Sequence, residues 1–183
     1  MTNEDMAFAV ERSFLAHEFL TWLWFRCEVE GGNFELPMGE VGVAVDDGLS
    51  LISWQDDGLK ASLRGGSPTG RPEAANALAA GLMLKRARFI MAKGSREWQF
   101  GLDADTLDLL GVKVIDPDAD DEPEDALVEK LLAGEELRDV VDALFKQFLA
   151  LRLDDEWDKV EVPRLRDWVR NKVEFAWKTV GAA

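Results

Sequence analysis

The sequence contains one cysteine, one histidine and no tyrosine among its 183 residues. A single cysteine excludes an intramolecular disulfide, which fits a reducing compartment. Cys27 and His17 provide too few ligands for a structural zinc site, which takes four. Both lie on one predicted helix, about 15 Å apart, so they are too distant for a catalytic dyad. We therefore expect no metal and no cofactor.

Long hydrophobic runs are also missing. The longest, Phe19 to Phe25, has seven residues and includes a threonine, whereas a membrane-spanning helix needs about 20. The N-terminus, MTNEDMAFAV, is acidic and lacks the basic start and apolar centre of a signal peptide. These absences predict a cytoplasmic protein with no membrane partner.

Two ligand-binding motifs are incomplete. The glycine-rich segment GGSPTG is followed by Arg71-Pro72, not by the Lys-Ser/Thr pair of a phosphate-binding P-loop. Counted from Asp116, the acidic stretch has Asp121 and Leu127 where a calcium-binding EF-hand loop needs glycine and glutamate. No pair of carboxylates stands out either, so we expect no enzymatic activity.

The composition is that of a globular and strongly acidic chain. Hydrophobic residues make up 47% and charged residues 31%, with seven tryptophans and ten phenylalanines as bulky core material. The formal net charge is −15. Because such a chain repels nucleic acid as a whole, binding of an anion requires a local basic patch.

The order of apolar and turn-forming segments predicts an α+β fold. A long N-terminal helix is predicted from about Glu4 to Glu28, ended by Gly31-Gly32. Apolar residues alternate on either side of two Asp-Asp-Gly turns, at 46–48 and 56–58, which predicts a three-stranded meander over 41–63. A short helix at about 72–80 follows.

A second hairpin is predicted from 82–92 and 97–102, with a further strand at 112–115, so the antiparallel sheet has four to six strands. Residues 1–115 then form an α+β core domain. Residues 116–125 contain seven acidic residues and two prolines, typical of a solvated linker. Residues 126–183 form two C-terminal amphipathic helices, packed on the core or on a partner subunit.

The basic residues are unevenly distributed. Between Lys60 and Arg96, eight basic residues face one acidic residue, Glu73, which gives this segment a charge of +7. Strand alternation puts Arg86 and Arg88 on one face, and Lys85 on the other face with Ala87 and Phe89. If Lys60 and Arg64 share the face of Arg86 and Arg88, that face is a basic strip suited to a phosphate backbone. The candidate phosphate-binding residues are Lys60, Arg64, Arg71, Lys85, Arg86, Arg88, Lys93 and Arg96.

Two interpretations compete for this strip and for the aromatic residues. The basic residues either bind phosphates or neutralise the chain's own carboxylates on a solvated sheet face, and charge alone favours the second. Trp22, Trp24 and Phe25 either pack in the core, which we favour, or form a dimer interface together with Trp168 and Trp177.

Four segments together resemble the C-terminal part of the recombination-associated protein RdgC family: HEFLTWLWFRCE, GGSPTGRPEAANAL, LKRARFIMAKGSREWQFGLD and VVDALFKQFLALRL. The resemblance covers roughly Phe14 to Trp157 and consists of packing patterns, not of catalytic signatures. It implies a ring-shaped homodimer that associates non-specifically with duplex DNA and restrains the strand-exchange recombinase. It identifies no individual binding residue.

The sequence therefore supports two functional hypotheses, and a third, an enzyme with an unrecognised carboxylate site, ranks last. The first is a non-enzymatic, RdgC-like accessory protein that binds duplex DNA without sequence preference through the basic strip. The alternative is an acidic interaction module that binds a basic protein partner, or mimics the charge of DNA, and does not bind DNA itself.

Overall fold

A computed structural model describes residues 3–53, 59–65, 68–115 and 123–180, without the side chains of residues 3–14, 123–126, 177, 179 and 180. These residues confirm the α+β fold, with a six-stranded antiparallel sheet, a long N-terminal helix and C-terminal helices. The helices are α1 (Asn3–Val29), α2 (Pro72–Ala79), α3 (Pro123–Arg152) and α4 (Val162–Val180). The strands are β1 (Asn33–Leu36), β2 (Gly39–Ile52), β3 (Lys60–Arg64), β4 (Met83–Lys93), β5 (Arg96–Asp103) and β6 (Leu109–Ile115).

The long strand β2 organises the sheet. Its first half pairs with β1, where Phe34 is opposite Val41, and its second half pairs with β3, where Leu63 is opposite Leu49. Its other side pairs with β4, which continues the sheet through β5 to β6. Within the described residues, β6 therefore forms one edge of the sheet.

The predicted turn at Asp46-Asp47-Gly48 is wrong. β2 continues through these residues, and its register with β4 shifts between Val45 and Leu49, which marks a β-bulge. Small and polar residues suit a bulge as well as a turn, so composition does not separate the two. The second predicted turn, 56–58, lies outside the described residues, but the strands on either side of it pair antiparallel as predicted.

The core lies between the sheet and the helices. Trp22, Trp24 and Phe25 of α1 are at most 1% exposed, and Trp168 of α4 packs edge-on against Trp24 at 5.1 Å. The core interpretation of these aromatic residues is confirmed, and the interface alternative is wrong for them because their side chains are already buried within the chain. The side chain of Trp177 lies outside the described residues.

The C-terminal helices share this core. Leu137, Leu144 and Phe148 of α3 are fully buried in the same cluster as Phe19 of α1. Helix α3 begins at Pro123, so residues 123–125, which the sequence assigned to the linker, form its first turn; residues 116–122 lie outside the described residues. In the described ranges, every helix is either too short or too polar to cross a lipid bilayer.

Candidate nucleic-acid interface

Sheet register brings part of the basic strip onto one surface. Arg64 pairs with Gly48 across β3 and β2, and Ser62 pairs with Ser50. Ser50 in turn pairs with Arg86 of β4. Because alternate residues of a strand share a face, Lys60, Ser62 and Arg64 lie on the same side of the sheet as Arg86 and Arg88. We call this surface, away from the core, the open face.

The open face carries a groove of about 530 Å³. Its charged lining consists of four basic residues and one acidic residue: Arg64, Lys85, Arg86, Arg88 and Asp47. The hydroxyl-bearing residues Ser50 and Ser62 also line it. Guanidinium groups and hydroxyls both donate hydrogen bonds to phosphate oxygens, so the groove has the chemistry of an anion site.

Two of its arginines already have carboxylate neighbours. Arg86 donates from Nε to Oδ2 of Asp103 at 3.0 Å, and its Nη2 bonds the same oxygen. Arg88 is held more loosely, since its Nε lies 3.5 Å from Asp46 and 3.4 Å from Asp47 without forming a hydrogen bond. Arg88 is thus the more available of the two for an incoming anion.

The carboxyl of Asp103 is tuned by these contacts. Its burial would raise its pKa, but the hydrogen bonds from Arg86 and from the backbone N–H of Asp105, together with the charges of Arg86 and Lys85, outweigh burial and lower the pKa. Asp103 is therefore ionised at neutral pH and neutralises Arg86.

The two remaining cations of the open face, Lys60 and Arg64, are exposed. Neither forms a hydrogen bond or an ion pair through its side chain with any residue that the structure describes. Together with Arg88, they are the described groups of this face best able to bind a phosphate.

The other four predicted residues are held by carboxylates or backbone carbonyls of the chain, although one of them, Lys85, also lines the groove. Arg71 donates to the backbone carbonyls of Arg64 and Gly65, at 3.2 and 2.7 Å, so it links the residue before α2 to the end of β3. Lys93 and Arg96 both bind Glu136 of α3, each at 2.6 Å. The assignment of these three residues to the basic strip is wrong, because nearby backbone carbonyls hold Arg71 and the distant Glu136 holds Lys93 and Arg96.

Lys85 is the fourth of these residues. It follows Leu84 where the register between β4 and β2 shifts, and its Nζ lies 2.8 Å from Oδ2 of Asp105. The hydrogen bond to Asp105 raises the pKa of Lys85. The other oxygen of Asp105 is 3.5 Å from Nε2 of the fully buried His17 of α1. Lys85 lines the groove, but its ammonium group binds a carboxylate that contacts α1.

The sequence did not identify Gly48, Ser50 and Ser62 as parts of this site. Each is a small residue with no charge pattern of its own. The wrongly predicted turn at 46–48 also placed Gly48 outside any strand. The signal that was available is the alternation Lys60, Ser62, Arg64, which places both hydroxyl and basic groups on one face.

The single cysteine is not placed as an activated nucleophile. Burial, with the nearby charge of Glu28, raises the pKa of the Cys27 thiol to about 12, so the thiolate is scarce at neutral pH. Among the side chains that are described, no three His, Cys, Asp or Glu groups are placed to hold a metal ion.

Comparison with known proteins found no significant match to a protein-family model, a curated protein or a solved structure. The resemblance to the RdgC family stays a prediction.

Proposed function

We propose that this chain is a cytoplasmic, non-enzymatic protein that binds duplex DNA without sequence preference through the open face. The observation that supports the proposal is the grouping of Arg64 and Arg88 around Gly48. Arg64 pairs with Gly48 across β3 and β2, and the side chain of Arg88 on β4 lies over Gly48. Phosphate contacts of this kind fix position and contribute affinity but carry no sequence information. A role in recombination is the part of the proposal that depends on the RdgC resemblance.

The affinity is expected to be modest and strongly dependent on salt. Lys60, Arg64 and Arg88 provide three available cations, while Asp46, Asp47 and Asp103 repel phosphate nearby. Each phosphate neutralised contributes a slope of roughly −0.9 in log affinity against log salt, so three contacts give a slope of about −3. The predicted homodimer would present two such faces.

The test is fluorescence anisotropy of a labelled duplex of about 30 base pairs, titrated at salt concentrations from about 20 to 200 mM. We expect the slope given above and equal affinities for two unrelated sequences. The double variant Arg64→Glu/Arg88→Glu should lose binding at the lowest salt. The control Lys146→Glu/Lys178→Glu changes the net charge equally at exposed lysines on α3 and α4. This variant should retain most of the DNA binding of the parent.

A gain-of-binding variant makes the test sharper. Asp47→Asn removes the carboxylate next to Arg88 and should increase affinity about two- to fivefold at low salt. Asp139→Asn, at an exposed position on α3, is the matched control and should give a smaller increase. No binding by the parent at the lowest salt would dispose of the proposal and favour the acidic interaction module.

A further inference from the structure

A second surface is apolar and lies at the edge of the sheet formed by β6. On the N-terminal half of α3, Leu127, Val128, Leu131 and Leu132 are 54 to 63% exposed. On β6, Leu110, Val112 and Ile115 are 36 to 49% exposed. Leu131 and Val112 line a common groove of about 720 Å³, so the two elements form one surface, which we call the α3–β6 groove. Clustered exposed aliphatic residues of this kind mark interaction sites.

The backbone of β6 offers hydrogen bonds along this groove. β6 pairs with β5 on one side only, and no described residue pairs with its outer side. An open strand edge presents N–H and C=O groups that an added strand can pair with.

Gly134 lies in the lining of the groove, in the interior of the 30-residue helix α3. Glycine is unfavourable in the middle of a helix compared with alanine. No neighbour requires it here, because a Cβ at this position would meet no heavy atom within 4 Å. The missing side chain instead leaves the groove open where a ligand backbone can approach α3.

The charges of the groove select the partner. Lys113, Lys130 and Arg138 line it, against a single carboxylate, Glu135. None of the three cations forms an ion pair with a residue that the structure describes. In a chain of charge −15, such a group of uncommitted cations favours an anionic partner at this place.

We propose that the α3–β6 groove binds an extended segment of a partner protein in which acidic and aliphatic residues alternate. The segment adds a strand beside β6. Its aliphatic side chains pack against Val112 and Leu131, and its carboxylates bind Lys113, Lys130 and Arg138. The proposal is independent of DNA binding, since it uses no residue of the open face.

The probe is a fluorescein-labelled peptide of about twelve residues in which Asp or Glu alternates with Val or Leu. Anisotropy with the full chain should show saturable binding. Gly134→Leu, which fills the groove without adding charge, should raise Kd about tenfold or more. Lys130→Glu/Arg138→Glu should do the same. Lys146→Glu, on the same helix outside the groove, should bind like the parent, and so should Arg64→Glu/Arg88→Glu.

Three results would overturn the proposal. The first is no binding of the peptide by the parent chain. The second is equal binding of a peptide with lysine in place of its acidic residues. The third is unchanged binding by Gly134→Leu, whose helix should be at least as stable as the parent's in a thermal melt. If the parent chain binds no peptide but sediments as a dimer that Gly134→Leu dissociates, that result would assign the groove to a second copy of the chain instead.

Discussion

The side chain of Arg88 crosses directly over Gly48, with its Cδ 3.4 Å from the place where a Cβ on that glycine would stand. Gly48→Val should therefore displace the guanidinium of Arg88 from the open face. We expect affinity for duplex DNA at low salt to fall by roughly a factor of three to ten, the effect of losing one phosphate contact.

The conservative variant separates this effect from simple crowding. Gly48→Ala adds only a Cβ at ordinary contact distance and should bind DNA like the parent. Because valine is favourable in strands, Gly48→Val should not lower the free energy of unfolding measured with urea. Equal DNA binding by both variants would contradict the position assigned to Arg88.

Glu136 ties the β4–β5 hairpin to α3 by accepting hydrogen bonds from Lys93 and Arg96. The bond from Lys93, against burial and with help from Arg96, lowers the pKa of Glu136 below its ordinary value of 4.5. A carboxyl with a lowered folded-state pKa adds stability that is complete above the unfolded-state value and is lost as pH falls through the folded-state value. The stabilisation by Glu136 should thus disappear progressively below about pH 4.5.

Glu136→Gln should reduce the free energy of unfolding by about 1 kcal/mol at pH 7, and by less at pH 3. Urea unfolding at the two pH values measures this. Glu135→Gln, at the neighbouring exposed position, is the control and should change stability little at either pH. A loss for Glu136→Gln that is the same at both pH values would point to packing and not to charge.

Glu28 joins α1 to α4. Its carboxylate accepts hydrogen bonds from the indole N–H groups of Trp24 and Trp168, at 2.7 and 2.9 Å, and lies 2.8 Å from Nζ of Lys172. Glu28→Ala leaves these donors without their acceptor and should lower the free energy of unfolding by about 2 kcal/mol. Glu28→Gln retains one acceptor oxygen and should lose less. Urea unfolding followed by tryptophan fluorescence gives both values, and a larger loss for glutamine would refute this account.

Cys27 should be a slow thiol. Since its pKa is raised to about 12, its thiolate fraction at pH 8 is about a thousand times smaller than that of a thiol at the ordinary value of 9. Reaction with a disulfide reagent at pH 8 should be at least about a hundredfold slower in the native protein than in urea. Rapid modification without unfolding would show that the thiol is less buried than described.

Local patterns predicted the elements well. The run Phe19 to Phe25, apolar on all sides, indicated a buried helix, and α1 is buried there. Alternation in β4 correctly placed Arg86 and Arg88 together. Both are properties of neighbouring residues, which a sequence records directly.

Contacts between distant residues were not predictable. Nothing near Lys93 or Arg96 in the sequence indicates Glu136, about forty residues away, as their common partner. Register is likewise set by pairing across strands, so one bulge at Gly48 changed a predicted hairpin into a continuous β2. Of the eight predicted basic residues, four lie on the open face as predicted, and the other four are held by carboxylates or carbonyls that the sequence did not indicate.

The helical chain before α4 contains a wide turn, Trp157–Glu161, in which the N–H of Val162 bonds to the carbonyl of Trp157 five residues earlier. Trp157 packs edge-on against Phe148 at 5.5 Å, and Trp168, further along, packs against Trp24. Each residue of an α-helix advances the direction of its side chains by about 100°. Shortening the wide turn by one residue would rotate all of α4 by that angle and swing Trp168 away from α1. The extra residue in the wide turn thus sets the rotation of α4 relative to the helical segment before it. With that rotation, Trp157 and Trp168 both point into the same core.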